Sequence, residues 1–149
     1  MGQQQLLLIV LGVIIVGIAV AVGINMFSSS SIDANRDAVT SDVTQLAAKA
    51  QQHFKKPTTM GGGGNNFNGF AFGALDTLNA NGQYRIVTTA PTSNDLVTTG
   101  NIPAYAPISA SATTIYVVGY GTENGRNNSD LVMAYATVTS SAIDVDILN

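Results

Sequence analysis

The chain has no cysteine and no tryptophan, a single histidine (His53) and a single glutamate (Glu123). Without cysteine there are no disulfides, no thiolate chemistry and no sulfur-ligated metals. One histidine cannot assemble a catalytic triad or a histidine-based metal site. Charge is scarce as well: 10% of residues, a net charge of −3, and only six Lys and Arg. Those six are scattered and form no basic stripe to neutralise a phosphate backbone, which excludes nucleic acid as the primary ligand. Neither an enzyme nor a cofactor is expected from this residue set.

What the chain has instead is apolar residues, 46% of the whole, concentrated at the start. From Leu6 to Phe27 it reads LLLIVLGVIIVGIAVAVGINMF, without a charged side chain. A stretch of about 20 such residues matches the ~30 Å hydrocarbon core of a bilayer. The segment reads as a retained helix. Gly2 to Gln5 carry no basic residue and the apolar run exceeds the 7 to 15 residues of a secretory signal, although Ala19-Val20-Ala21 would pass as a cleavage site.

No proline interrupts the following residues until Pro57, which blocks further helix. Ile32, Val39, Val43, Leu46, Ala50 and Phe54 fall within an arc of roughly 80° at about 100° per residue, giving a helix with one dry stripe. Asp33, Asp37, Thr40, Thr44, Gln51 and Lys55 lie on the far side. A rod of roughly 50 residues is therefore expected, about 80 Å long at 1.5 Å per residue, apolar over 1–27 and amphipathic over 28–56.

The apolar half is greasy all round. Leu6, Leu7, Leu8, Ile9, Val10 and Leu11 lead into Val13, Ile14, Ile15, Val16 and Ile18, then Val20, Val22, Ile24 and Phe27. In water each would cost about 1.5 to 3 kcal/mol, and only lipid or a bundle of like helices removes the problem. Gly12, Gly17 and Gly23 serve either environment, because small residues let helices approach closely. These residues are the candidate packing surface. Asp33, Asp37 and Asp42 precede Lys49, Lys55 and Lys56, so two helices offset along their length set acids of one beside bases of the next.

An apolar start of about twenty residues, an amphipathic continuation to around residue 55 and a β-rich end resembles a type IV pilin. The likeness covers the whole architecture but only the first thirty or so residues in sequence. It implies that the apolar helices leave the inner membrane, with the help of assembly machinery, and pack into the core of an extracellular homopolymer whose heads form the outer surface. The chain departs from the common bacterial pattern in having Gln5 where a glutamate is usual, and in lacking both the proline of the apolar half and a C-terminal cysteine loop. It is closer in these respects to a divergent or archaeal-like subunit. A single-pass anchored surface module, such as an adhesin, minor pilin or pseudopilin, shares the same layout.

Residues 57–82 read as a connecting loop, with Gly61 to Gly64 followed by two asparagines, and 83–149 as the head. The glycines lack the Lys-Ser/Thr pair and preceding strand of a phosphate cradle. They are expected to let the head pivot on the rod or hug it. Gly73 to Asn79 reads as a short helical turn. Strands are expected at Tyr84–Ala90, Thr114–Tyr120, Leu131–Thr139 and Ile143–Ile147, with a loop over Thr122–Asn128 and a hairpin at Ser140-Ser141. Thr92 to Ala112, marked by Pro103 and Pro107, reads as irregular. The fold class is thus α+β: a long helix packed on an antiparallel sheet of about four strands. Asp144 and Asp146 share a solvated strand face, with Asp130 and Asp95 as remote partners for a cation and no EF-hand spacing. Asn127-Asn128-Ser129 is a glycosylation acceptor sequence.

Overall fold

A computed structural model describes residues 2–91, 107–108, 111–125 and 130–149. One helix, α1, runs unbroken over Gly2–Lys55. Single 3-10 turns follow at Thr58–Met60 and Ala74–Asp76, the second inside the turn expected from the sequence. The strands are β1 (Gly82–Val87), β2 (Ile115–Asn124), β3 (Leu131–Val138) and β4 (Ile143–Ile147). They form one antiparallel sheet in the order β1-β2-β3-β4. The α+β arrangement is as the periodicities require.

The second half of α1 lies across this sheet. Val39, Val43, Leu46, Ala50 and Phe54 are buried as expected, and Ile32 is half-buried where the helix leaves the sheet. The stripe is wider than the apolar pattern indicates, because Ala47 and Arg36 are buried on it too. Arg36 is buried, including its Nε, and reaches Asp33 through Nη1 at 3.4 Å. Opposite the stripe, Ile115, Val117, Ala134, Ala136 and Val138 present the inner face of the sheet, with Tyr84, Ile86 and Val145 beside them. Gly119 sits in the middle of β2, facing α1. A Cβ there would lie 2.6 Å from Val43 Cγ2 and 2.9 Å from Val39 Cγ1, so any larger residue would push the helix off the sheet.

The bounds of three strands differ from expectation. β1 starts two residues earlier and ends at Val87, and β3 ends at Val138. β2 continues through Thr122 to Asn124, which sequence composition assigns to a loop. The extension is possible because the β2–β3 register shifts between Tyr120 and Asn124, forming a bulge. Residues 126–129, including Asn127, and 92–106, including Asp95, Pro103 and Tyr105, lie outside the described residues. The hairpin at Ser140-Ser141 is present, closed by Thr139 N–H donating to Ala142 O at 3.0 Å.

The larger difference concerns residues 57–82, which are part of the head. The glycine run folds back over the end of α1 and satisfies carbonyls that a helix terminus leaves free. Gly63 N–H donates to His53 O at 2.8 Å, Asn65 N–H to Phe54 O at 2.8 Å and Gly64 N–H to Lys56 O at 3.0 Å. Gly64 and Asn65 adopt the left-handed conformation (φ +60° and 68°), and a Cβ on Gly63 would overlap the carbonyl of Asn66. The run therefore caps the helix; it is not a hinge. Beyond it Phe67, Phe70 and Phe72 enter the core, with the Phe67 ring tilted against Phe54 at 4.8 Å and Phe70 edge-on to Phe72 at 5.6 Å.

Candidate functional site

The two halves of α1 live in different surroundings. Between Leu6 and Phe27 every large apolar side chain is 50% to 78% exposed, and Gly12, Gly17 and Gly23 have nothing within 4 Å of the position a Cβ would take. The best 18-residue window of the helix has a mean hydropathy of 3.2 and none of it is buried. By length and composition this segment can cross a membrane, which suits an anchor or a signal sequence. All the residues expected to form the packing surface thus stand together, on one bare rod that projects about 40 Å from the head.

The amphipathic half is held by polar contacts on both flanks of its dry stripe. Asn35 is the first of them. Its Oδ1 accepts from Thr122 N–H at 3.1 Å and Glu123 N–H at 3.4 Å, the bulge amides released from the β2–β3 ladder. Its Nδ2 donates to Asn81 O at 2.9 Å. About two turns further, Asp42 Oδ2 accepts from Asn79 Nδ2 and Asn81 Nδ2 at 2.8 Å each and from the Tyr84 hydroxyl at 2.7 Å. Lys49 reaches Asp76 at 2.6 Å, and Gln51 Nε2 donates to Thr139 O at 3.3 Å. Asp42 and Lys49, read from the sequence as partners for neighbouring helices, have partners within the chain.

Burial pushes the Asp42 carboxyl upward, but the hydrogen bonds from Asn81, Tyr84 and Asn79 outweigh it and hold its pKa below the ordinary value. Tyr84 moves the other way: burial and then the Asp42 carboxylate keep its hydroxyl protonated well above its usual range. A folded pKa below the unfolded value of about 3.9 means stability that is present above that value and lost as pH falls through the folded one. Asp42→Asn is therefore expected to cost about 2 kcal/mol at neutral pH, the scale of hydrogen bonds to a charged acceptor. It should also flatten the loss of stability below pH ~4. Thermal melts of the head across pH 3 to 7 would check both; an unchanged acid limb would remove Asp42 from the clamp.

Elsewhere the candidate residues do not converge. His53 is half-buried at the rod's end, its ring 5.2 Å from Phe70 and its Nε2 3.2 Å from Asn68 O. Asp144 and Asp146 are exposed on β4, and no group of three metal-ligating side chains occurs among the described residues. A shallow cleft of about 100 Å³ lies between Asp42, Leu46, Lys49, Leu75 and Asn79, too small for a drug-sized ligand. Asn35, Asn79 and Asn81 escape sequence reasoning because their partners lie 37 to 88 residues away. Arg36 escapes it because a charged residue breaks the apolar count. No protein-family model, curated protein or solved structure matches the chain.

Proposed function

We propose that this chain is a structural subunit that polymerises through its N-terminal helix into an extracellular filament of the type IV pilus kind. One observation carries the reading. A single uninterrupted helix is clamped to a folded head over its second half and is bare and apolar on every side over its first. Sixteen large side chains from Leu6 to Phe27 are left in contact with solvent in the lone subunit. At about 1.5 to 3 kcal/mol each they represent a penalty of tens of kcal/mol, well beyond the 5 to 15 kcal/mol that stabilises a domain. Lipid removes that penalty before assembly, and neighbouring copies remove it afterwards. Copies of itself, the inner membrane and an assembly machinery are the partners this scheme requires. The subunit itself performs no chemistry.

The rigid junction favours a filament over a tethered binding head. A surface module needs only a flexible linker to its anchor. Here Asn35, Asp42, Gln51 and the glycine cap fix the orientation of the head on the rod, as a repeating lattice demands. Negative-stain imaging of the material shed from cells is expected to reveal filaments about 5 to 10 nm wide, from ~10 Å helices bundled and surrounded by heads. A species that stays monodisperse in detergent and never polymerises would instead identify an anchored module.

A further inference from the structure

The filament reading leaves open which face of the rod meets the next copy, and the charges on α1 answer that. Four of the six charges expected to work between helices are spoken for or displaced. Asp33 is bonded to Arg36, Asp42 to the Asn79, Asn81 and Tyr84 side chains, and Lys49 to Asp76, while Lys56 lies past the end of the helix. Asp37 and Lys55 remain. Both are exposed and neither has a side-chain partner among the described residues.

Their placement is specific. Asp37 and Lys55 are 18 residues apart, which is five full turns of an α-helix, so they share one line along the rod about 27 Å apart. That line runs roughly 130° round the helix from the stripe that holds the head, on the side a second rod can reach. Further toward the N-terminus it carries Gly12, Ala19 and Ser30, whose short side chains let another helix come close, together with Leu8 and Met26.

We propose that this line is the contact between neighbouring copies, and that Asp37 of one copy pairs with Lys55 of a copy displaced by about five turns along a parallel helix. This inference rests on the filament reading. Parallel helices in register would set Asp37 against Asp37 and Lys55 against Lys55. Antiparallel helices would satisfy both pairs at once, which closes a two-copy unit and leaves no charge on this line to add a third. A displaced parallel pair leaves one base unused at one end and one acid unused at the other. It is therefore heterologous and grows into an open fibre; it cannot close as a dimer. The rest of the apolar circumference is free for other copies.

The absence of native cysteine makes the test direct. Full-length Asp37→Cys and Lys55→Cys proteins, co-expressed and oxidised in the assembled state, are expected to give the mixed 37–55 disulfide in large excess over 37–37 and 55–55 products. Asp37→Lys and Lys55→Asp should each lower filament yield about tenfold, and the double reversal should restore it. The head should stay folded in all of them, since both side chains are exposed, with Lys55→Asp lowering its melting by only a few degrees through the helix dipole, an effect that the double reversal keeps while assembly returns. If wild-type filaments form but the cysteines join 37 to 37, or the single reversals assemble normally, this contact is wrong and the filament reading stands. If wild-type protein never polymerises, both fall.

Discussion

Replacing Gly17 with arginine abolishes filaments and leaves the head as stable as in wild type. Gly17 lies in the middle of the bare half of α1, with nothing within 4 Å of its Cβ position and about 27 Å of helix between it and Asn35, the first clamp on the head. In a bilayer an arginine at mid-helix costs about 2.5 to 3.5 kcal/mol on insertion scales. In a dry bundle an unpaired guanidinium costs about 3 to 5 kcal/mol. Every subunit carries the defect, so each addition to the fibre weakens by roughly a hundredfold or more at 1.4 kcal/mol per factor of ten. Imaging of cell-surface material combined with a thermal melt of the detergent-solubilised protein measures both halves of the expectation. Normal filaments in this variant would show that the segment is not buried in a bundle.

Phe67→Ala acts on the opposite end of the molecule and should be the most damaging single change to the head. Phe67 is fully buried, packs its ring against Phe54 of the helix at 4.8 Å and anchors its segment through an N–H bond to Ala112 O at 3.0 Å. Truncating a buried phenylalanine costs about 3 to 5 kcal/mol. At roughly 4 to 8 °C per kcal/mol for a domain of this size, melting falls by about 15 to 30 °C. The near-UV signal of the five tyrosines follows this without interference from tryptophan, which the chain lacks. A shift of only a few degrees would mean that residues 57–82 lie loosely on the head as a linker would, and that α1 is held by the sheet alone.

Much of the fold was legible because it depends on local pattern. The apolar run, the 3.6-residue stripe from Val39 to Phe54, the stop at Pro57 and the alternation of Ile143, Val145 and Ile147 each follow from short-range periodicity. The segment 57–82 was not legible, since its glycines and asparagines have the composition of a linker. Its three phenylalanines become core only when Gly63, Gly64 and Asn65 turn the chain back over the helix end. The reach of β2 to Asn124 was hidden for a similar reason: its bulge is stabilised by Asn35, 87 residues away in sequence.

The sequence alone determined that this protein begins with a helix unable to stay bare in water, and that a small antiparallel head rides on the helix's second half. Burial free energy scales with apolar area, and that area can be counted residue by residue. Only the tertiary structure decided which polar side chains are bonded within the chain and which are left exposed. Asp42 and Lys49 look the same as Asp37 and Lys55 along the chain, and differ because the return of residues 76 to 84 brings partners to the first two and none to the others.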